Sequence, residues 1–208
     1  MSAIDVTREG AVFVLTMNAG ENRFNRGFVD ALNGALDEVE RSSGPAALVT
    51  VGGSEKFYSN GLDLAWIGSD EGRDSAATFV QEVITLLARF LAFPIPSVAA
   101  MNGHAFAAGG MMALAHDFRV MRADRGFFCL PEVDINVPLA PGMTALIQEK
   151  LSAESSRRRC LTGARLGGPQ ALEARHRRRR GRGSRRPAAG DRARRRALAN
   201  RIAARTGR

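Results

Sequence analysis

The chain is poor in cysteine, in lysine and in unbroken apolar sequence, and each shortage removes a class of function. Cys129 and Cys160 are the only cysteines among 208 residues. Two thiols without paired spacing supply neither a disulfide framework nor a zinc cage, and a reducing compartment suits such a chain. No apolar run approaches the roughly 20 residues that cross a bilayer. Ile4 to Met17 reads as strand and carries charges, which is not the pattern of a secretion signal. The closing Thr206-Gly207-Arg208 is not a peroxisomal address. The expectation is a soluble, cytoplasmic protein without membrane attachment. Neither a Gly-x-Ser-x-Gly elbow nor a phosphate-binding glycine loop follows a strand, which excludes serine hydrolases and the common nucleotide folds.

What remains is an ordinary globular composition, 45% hydrophobic and 25% charged, in a chain long enough for one sizeable core. The net charge of +9 is unevenly placed: residues 1–150 carry 18 acidic against 11 basic side chains, whereas residues 151–208 carry 3 against 19. The chain therefore divides at about residue 174 into an acidic domain, 1–174, and an Arg-rich tail, 175–208. The tail has arginine clusters in Ala, Gly and Pro, with almost no large apolar residue and no lysine. Such text does not bury enough surface to offset its chain entropy. Three readings of it stand: an inert solvated tail, a basic arm for nucleic acid, or out-of-frame translation of GC-rich DNA. Nucleic acid is not the expected partner.

Within the first 174 residues the hydrophobic period alternates between strand and helix. Ile4 to Thr7 and Ala11 to Thr16 form an expected hairpin about Arg8-Glu9-Gly10. Phe28, Leu32, Leu36 and Val39 repeat at helical spacing over Arg26 to Glu40. A buried strand over Ala46 to Val51 follows Gly44-Pro45, and a helix over Asp74 to Phe93 stops at Pro94. Ser97 to Met101 reads as strand, followed by a helix through Ala115, a strand over Asp117 to Arg122 and a helix over Pro141 to Leu151. Strands alternating with helices predict an α/β domain with right-handed crossovers.

Two segments carry chemistry: Phe57-Tyr58-Ser59-Asn60-Gly61-Leu62-Asp63-Leu64, and Asn102-Gly103-His104-Ala105-Phe106-Ala107-Ala108-Gly109-Gly110. Each is a strand, a turn of small residues and a helix starting at once. Side by side, such turns aim two backbone N–H groups at one point, which is how an oxyanion hole for an acyl group is built. One acid, Glu132, follows in Leu130-Pro131-Glu132-Val133-Asp134. Phe127, Phe128, Leu130, Val133, Ile135 and Val137 flank it, and desolvation by apolar neighbours raises a carboxyl pKa toward useful basicity. Asp134, two residues on and on the same face if the segment is a strand, is the reserve acid. His104 and His116 read as structural hydrogen-bonding residues.

Together these motifs resemble the crotonase superfamily, the enoyl-CoA hydratases and isomerases, and within it the Δ3-Δ2-enoyl-CoA isomerases most. The resemblance covers Ile4 to about Ala174, including Leu161-Thr162-Gly163 and Gly167-Gly168-Pro169-Gln170-Ala171-Leu172 of the late helical region. It implies a crotonase-like ββα spiral with C-terminal helices, an acyl-CoA substrate, no metal or other cofactor, and a homotrimer or dimer of trimers. By position it implies oxyanion donors at Leu62 and Ala108, with Gly109 the alternative, and Glu132 as the catalytic carboxylate. CoA would lie along Arg23 and Phe24 and along Phe57, Ser59, Asn60 and Gly61. Hydratases of the family carry a second glutamate where this chain has Met111. One carboxylate without a second fits moving a double bond better than adding water. The Arg-rich end departs from the pattern of helices that complete the acyl-CoA pocket. Hydration of 2-enoyl-CoA, another acyl-CoA reaction and an inactive scaffold are the alternatives.

Overall fold

The computed structural model describes residues 2–179. In chain order the elements are β1 (Ile4–Glu9), β2 (Val12–Met17), α1 (Arg26–Glu40), β3 (Ala47–Gly52), β4 (Phe57–Ser59), α2 (Leu64–Gly68), α3 (Asp70–Arg73) and α4 (Ala76–Leu91). They continue as β5 (Ser97–Met101), β6 (His104–Phe106), α5 (Ala108–Ala115), β7 (Phe118–Met121), β8 (Phe128–Cys129), α6 (Pro141–Lys150), α7 (Ala153–Thr162) and α8 (Gly168–Arg179). Helix α8 runs through the expected boundary at residue 174. Of the expected tail, residues 180–208 lie outside the described residues.

The strands form two sheets, one of five strands in the order β1-β2-β3-β5-β7 and one of three in the order β4-β6-β8. The β1–β2 hairpin is antiparallel and every other pairing is parallel, with Val49 opposite Val98 and Val98 opposite Phe118. From β3 onward each winding adds one strand to the large sheet and one to the small sheet, followed by three helices in the first winding (α2, α3 and α4) and by α5 and α6 in the next two. This is the expected α/β spiral of ββα turns. Asn102 locks successive windings together: its Oδ1 accepts from Gly52 N–H at 3.0 Å, and its Nδ2 donates to Gly52 O at 2.7 Å and Ser54 O at 2.8 Å.

Local sequence explains the elements that frame the site. Asn25 caps α1 by accepting from Phe28 N–H, and the helix buries Phe28, Leu32, Leu36 and Val39 on one side. Helix α4 ends at Leu91, two residues short of the expected Phe93, because a residue before proline is driven out of the helical region. Helix α5 is different in kind. All eight of its residues, Ala-Gly-Gly-Met-Met-Ala-Leu-Ala, are buried, so it lies inside the domain rather than on its surface.

Candidate active site

The two glycine-containing turns meet. Gly61 has φ +78°, a left-handed conformation that a side chain resists. A β-carbon placed there would stand 2.8 Å from Ala107 Cβ and 2.9 Å from Ala108 N. At Gly109 a β-carbon would collide with the carbonyl oxygen of Ser59. The β4 turn thus lies against the start of α5 with no room for side chains between them, as the sequence predicted.

Their backbone groups are arranged to leave donors free. Phe24 N–H donates to Gly61 O at 2.7 Å and Asp63 N–H donates to Phe24 O at 2.9 Å, a parallel bridge that straddles Leu62. The N–H of Leu62 has no hydrogen-bond partner among the described residues. On the other turn, Ala107 N–H donates to Cys129 O at 3.0 Å, and the first bond into α5 comes from Met111 N–H to Ala107 O. The amides of Ala108, Gly109 and Gly110 are therefore the first-turn donors that a helix does not itself satisfy. Ala107 adopts φ 49° and ψ −127°, strained for a residue with a β-carbon. Leu62 and Ala108 border the same cavity, of about 230 Å³. Gly109 does not border it, because its α-carbon faces Ser59.

Glu132 borders that cavity as well. It follows β8, not in a strand but in a tight turn closed by Asp134 N–H to Pro131 O at 2.9 Å and Val137 N–H to Glu132 O at 2.9 Å. Its side chain is 7% exposed and its Oε2 has no hydrogen-bond partner. Burial pushes its pKa above the ordinary carboxylate value, opposed by a bond from its own backbone. The expectation that flanking apolar residues desolvate it is corrected in one respect: Val133 is 48% exposed and does not border the cavity, whereas Ile135 and Val137 form part of its wall. What encloses the carboxyl is the cavity wall. Asp134 does not share its face, because the turn sends it outward to an exposed position; the reserve acid is set aside.

The rest of the wall is apolar apart from Arg23 and Asn60, with Met111, Met143, Val80 and Leu64 among its members. Asn60 Nδ2 donates to Glu21 Oε2 at 3.0 Å, and Arg23 pairs with the same carboxylate at 2.6 Å. The Asn60 amide, and after it Arg23, hold the Glu21 pKa below its usual value against a desolvation effect that raises it. Of the residues expected along CoA, only Arg23 and Asn60 reach the cavity. Phe24 and Ser59 are wholly buried. The Phe24 ring stacks on Phe28 at 5.6 Å, and Ser59 Oγ donates to Asn22 O at 2.7 Å. Their side chains brace the turns and do not border the cavity. Phe57 packs instead against His104, ring centroids 5.9 Å apart, and Gly61 serves the close approach already described.

Of the two histidines read as structural hydrogen-bonding residues, His116 is one, whereas His104 packs by ring contacts and its buried Nδ1 has no hydrogen-bond partner among the described residues. His104 stacks on Phe127 and tilts against Phe106, and burial lowers its pKa. His116 is fully buried between Thr50 and Met112, its pKa depressed by desolvation to about 4. Sequence reasoning missed Asn22, Thr50 and Tyr58, three buried polar residues around the β4 turn. Nothing marks Thr50 within Ala47–Gly52, because a threonine in a β-branched run reads as one more strand former. Among the described residues no helix is long and apolar enough to cross a membrane.

Residues 7–174 match the family model described as enoyl-CoA hydratase/isomerase. Enoyl-CoA delta isomerase 3 of Arabidopsis thaliana is 36% identical over 170 residues, 79% of this chain and 71% of that protein. The peroxisomal enoyl-CoA delta isomerase 2 of the same plant is 33% identical over 171 residues, with the same coverage. Among solved structures, an apo enoyl-CoA isomerase of Mycobacterium tuberculosis superposes with a TM-score of 0.81 at 24% identity, covering 98% of this chain and 96% of that one. An enoyl-CoA hydratase of Mycobacterium marinum gives 0.81 at 23% identity, covering 99% and 96%. These two establish likeness of fold. With the family match spanning most of the sequence and relatives above 30% identity, the chain belongs to the enoyl-CoA hydratase/isomerase family, the crotonases.

Proposed function

We propose that the chain is a Δ3-Δ2-enoyl-CoA isomerase that moves a double bond from C3–C4 to C2–C3 of a fatty acyl-CoA. The observation that carries this reading is the composition of the cavity wall: among the described residues Glu132 is its only carboxylate, and Met111 is one of its apolar members. The thioester oxygen of the substrate takes the N–H groups of Leu62 and Ala108. Glu132, ionised, removes a proton from C2; the C–H electron pair spreads over the thioester oxygen, C2 and C4 as a dienolate. The protonated carboxyl then returns the proton at C4, the double bond settles between C2 and C3, and Glu132 is ionised again. No water is consumed and no redox partner is required.

Physical chemistry favours each role. Two amides held in place against a developing oxyanion contribute on the order of 10²–10³ each in rate, because they need no reorganisation during reaction. A carboxyl whose pKa is raised by burial takes a proton from carbon more readily than an ordinary one. Hydration would require activating a water and protonating carbon, and Met111 supplies no second acid. The named relatives at 33% and 36% identity, enoyl-CoA delta isomerases, point the same way.

The test presents purified protein separately with 3-enoyl-CoA and 2-enoyl-CoA and identifies products by mass and ultraviolet absorbance. Conversion of the first to 2-enoyl-CoA, with little 3-hydroxyacyl-CoA from the second, is the expected result. Hydration faster than isomerisation would make the chain a hydratase.

A further inference from the structure

The turns that carry Leu62 and Ala108 are also joined beneath the cavity, by side chains that do not line it. Tyr58 lies on β4, just ahead of Leu62, and its hydroxyl is 2.7 Å from Thr50 Oγ1 on β3. Thr50 Oγ1 is 3.0 Å from Nε2 of His116, the residue that ends α5. His116 Nδ1 is 2.8 Å from Met112 O. Tyr58, Thr50 and His116 are each 0% exposed.

The direction of every hydrogen bond follows from these partners. The Met112 carbonyl only accepts, so Nδ1 carries the ring hydrogen and Nε2 is the bare acceptor. Thr50 therefore donates to His116, and Tyr58 donates to Thr50. None of these atoms is left unpaired. The His116 ring also stacks on Phe90 of α4, centroids 4.8 Å apart. From the other side, Asn22 Nδ2 donates to Tyr58 O at 2.9 Å. The backbone of β4 and the far end of α5 are thus tied through β3.

Such a tie matters because of what the turns lack. Gly61 and Gly109 let the two backbones touch but give them no side chains to resist sliding. Helix α5 spans eight residues, about 12 Å at the usual rise per residue. Holding its His116 end therefore fixes where its Ala108 end stands. We propose that the Tyr58–Thr50–His116 chain is the positioning device of the oxyanion site, setting the separation of the Leu62 and Ala108 amides and so the polarisation of the thioester carbonyl. The proposal rests on the oxyanion role given to those amides above. All three residues act through the backbone and touch no substrate.

The experiment is isotope-edited infrared spectroscopy of hexanoyl-CoA, labelled with ¹³C at the carbonyl and bound to the full chain. Hexanoyl-CoA is saturated and is not turned over. In the unaltered protein the carbonyl band moves to lower frequency. Tyr58→Phe and Thr50→Val lose most of that displacement, and Thr50→Ser keeps it. With 3-enoyl-CoA the two damaging variants lose about 10- to 100-fold in kcat, the size of effect that small misplacements cause, with KM nearly unchanged. Tyr58→Phe removes a single oxygen and is the variant to rely on if Thr50→Val does not fold. A band displaced equally in Tyr58→Phe overturns the positioning role and leaves the oxyanion site standing. No displacement in the unaltered protein overturns both. Loss in Thr50→Ser as severe as in Thr50→Val shows that the hydroxyl is not what matters and also overturns the proposal.

Discussion

Gly61 and Ala108 approach so closely that a β-carbon on the first would stand 2.9 Å from the backbone nitrogen of the second. That contact joins two turns distant in sequence and brings Leu62 and Ala108 to the border of one cavity. Gly61→Ala should therefore damage both fold and chemistry. The methyl meets Ala107 and Ala108, and φ +78° is unfavourable for alanine, a strain of order 1–3 kcal/mol. Separation of the turns should cut isomerase kcat by about 100-fold, as expected for a displacement near 1 Å at a reacting group. Thermal melting and steady-state kinetics on the same preparation check both. Unchanged turnover would mean that the closeness of the turns is irrelevant to catalysis.

Ala107 gives the opposite case. At φ 49° it holds a conformation that glycine adopts without cost. Ala107→Gly should stabilise the protein by about 1 kcal/mol, raising the melting temperature by about 2–4 °C in a chain of this length. A lower melting temperature would show that the β-carbon of Ala107 contributes more in packing than it costs in strain.

His116 predicts a dependence of stability on pH. Its pKa falls from 6.5 in the unfolded chain to about 4 in the fold, through burial. Between those values the unfolded state binds the proton and the folded state does not, so stability rises with pH across that window and falls as pH drops through it. The full effect is on the order of 3 kcal/mol. Glu132 acts the other way, because its raised pKa favours the fold at low pH and that contribution fades as pH rises. Urea unfolding of the unaltered protein and of His116→Gln, from pH 4 to pH 7, separates the two. The difference between them should shrink toward the acid end; a constant difference would place a charged histidine in the core.

Much of this arrangement is legible in the sequence because long periodic elements announce themselves. Helix α1 occupies the predicted Arg26–Glu40, and β5 the predicted Ser97–Met101. Strands β4, β6 and β8 hold three, three and two residues, too short for any period to register, and only the turns that follow them betray their place. At the site, residues acting through their backbone were readable as small-residue turns, and Glu132 as an acid in apolar text. Asp134 misled because alternation was assumed where the chain turns after Pro131. The backbone bridge of Phe24 around Leu62 is a long-range relation that no local pattern encodes. The same holds for Thr50 and Tyr58, whose partners come from different windings of the spiral.

The most direct test of the whole account is the isomerisation rate of Glu132→Gln with 3-enoyl-CoA, measured beside the affinity of the same variant for a saturated acyl-CoA. A lost general base lowers rates by about 10²–10⁴-fold. The account predicts a fall of that size in kcat with affinity held within a few-fold, because the glutamine keeps the shape of the cavity and gives up only the proton carrier. Turnover undiminished by the change would contradict it.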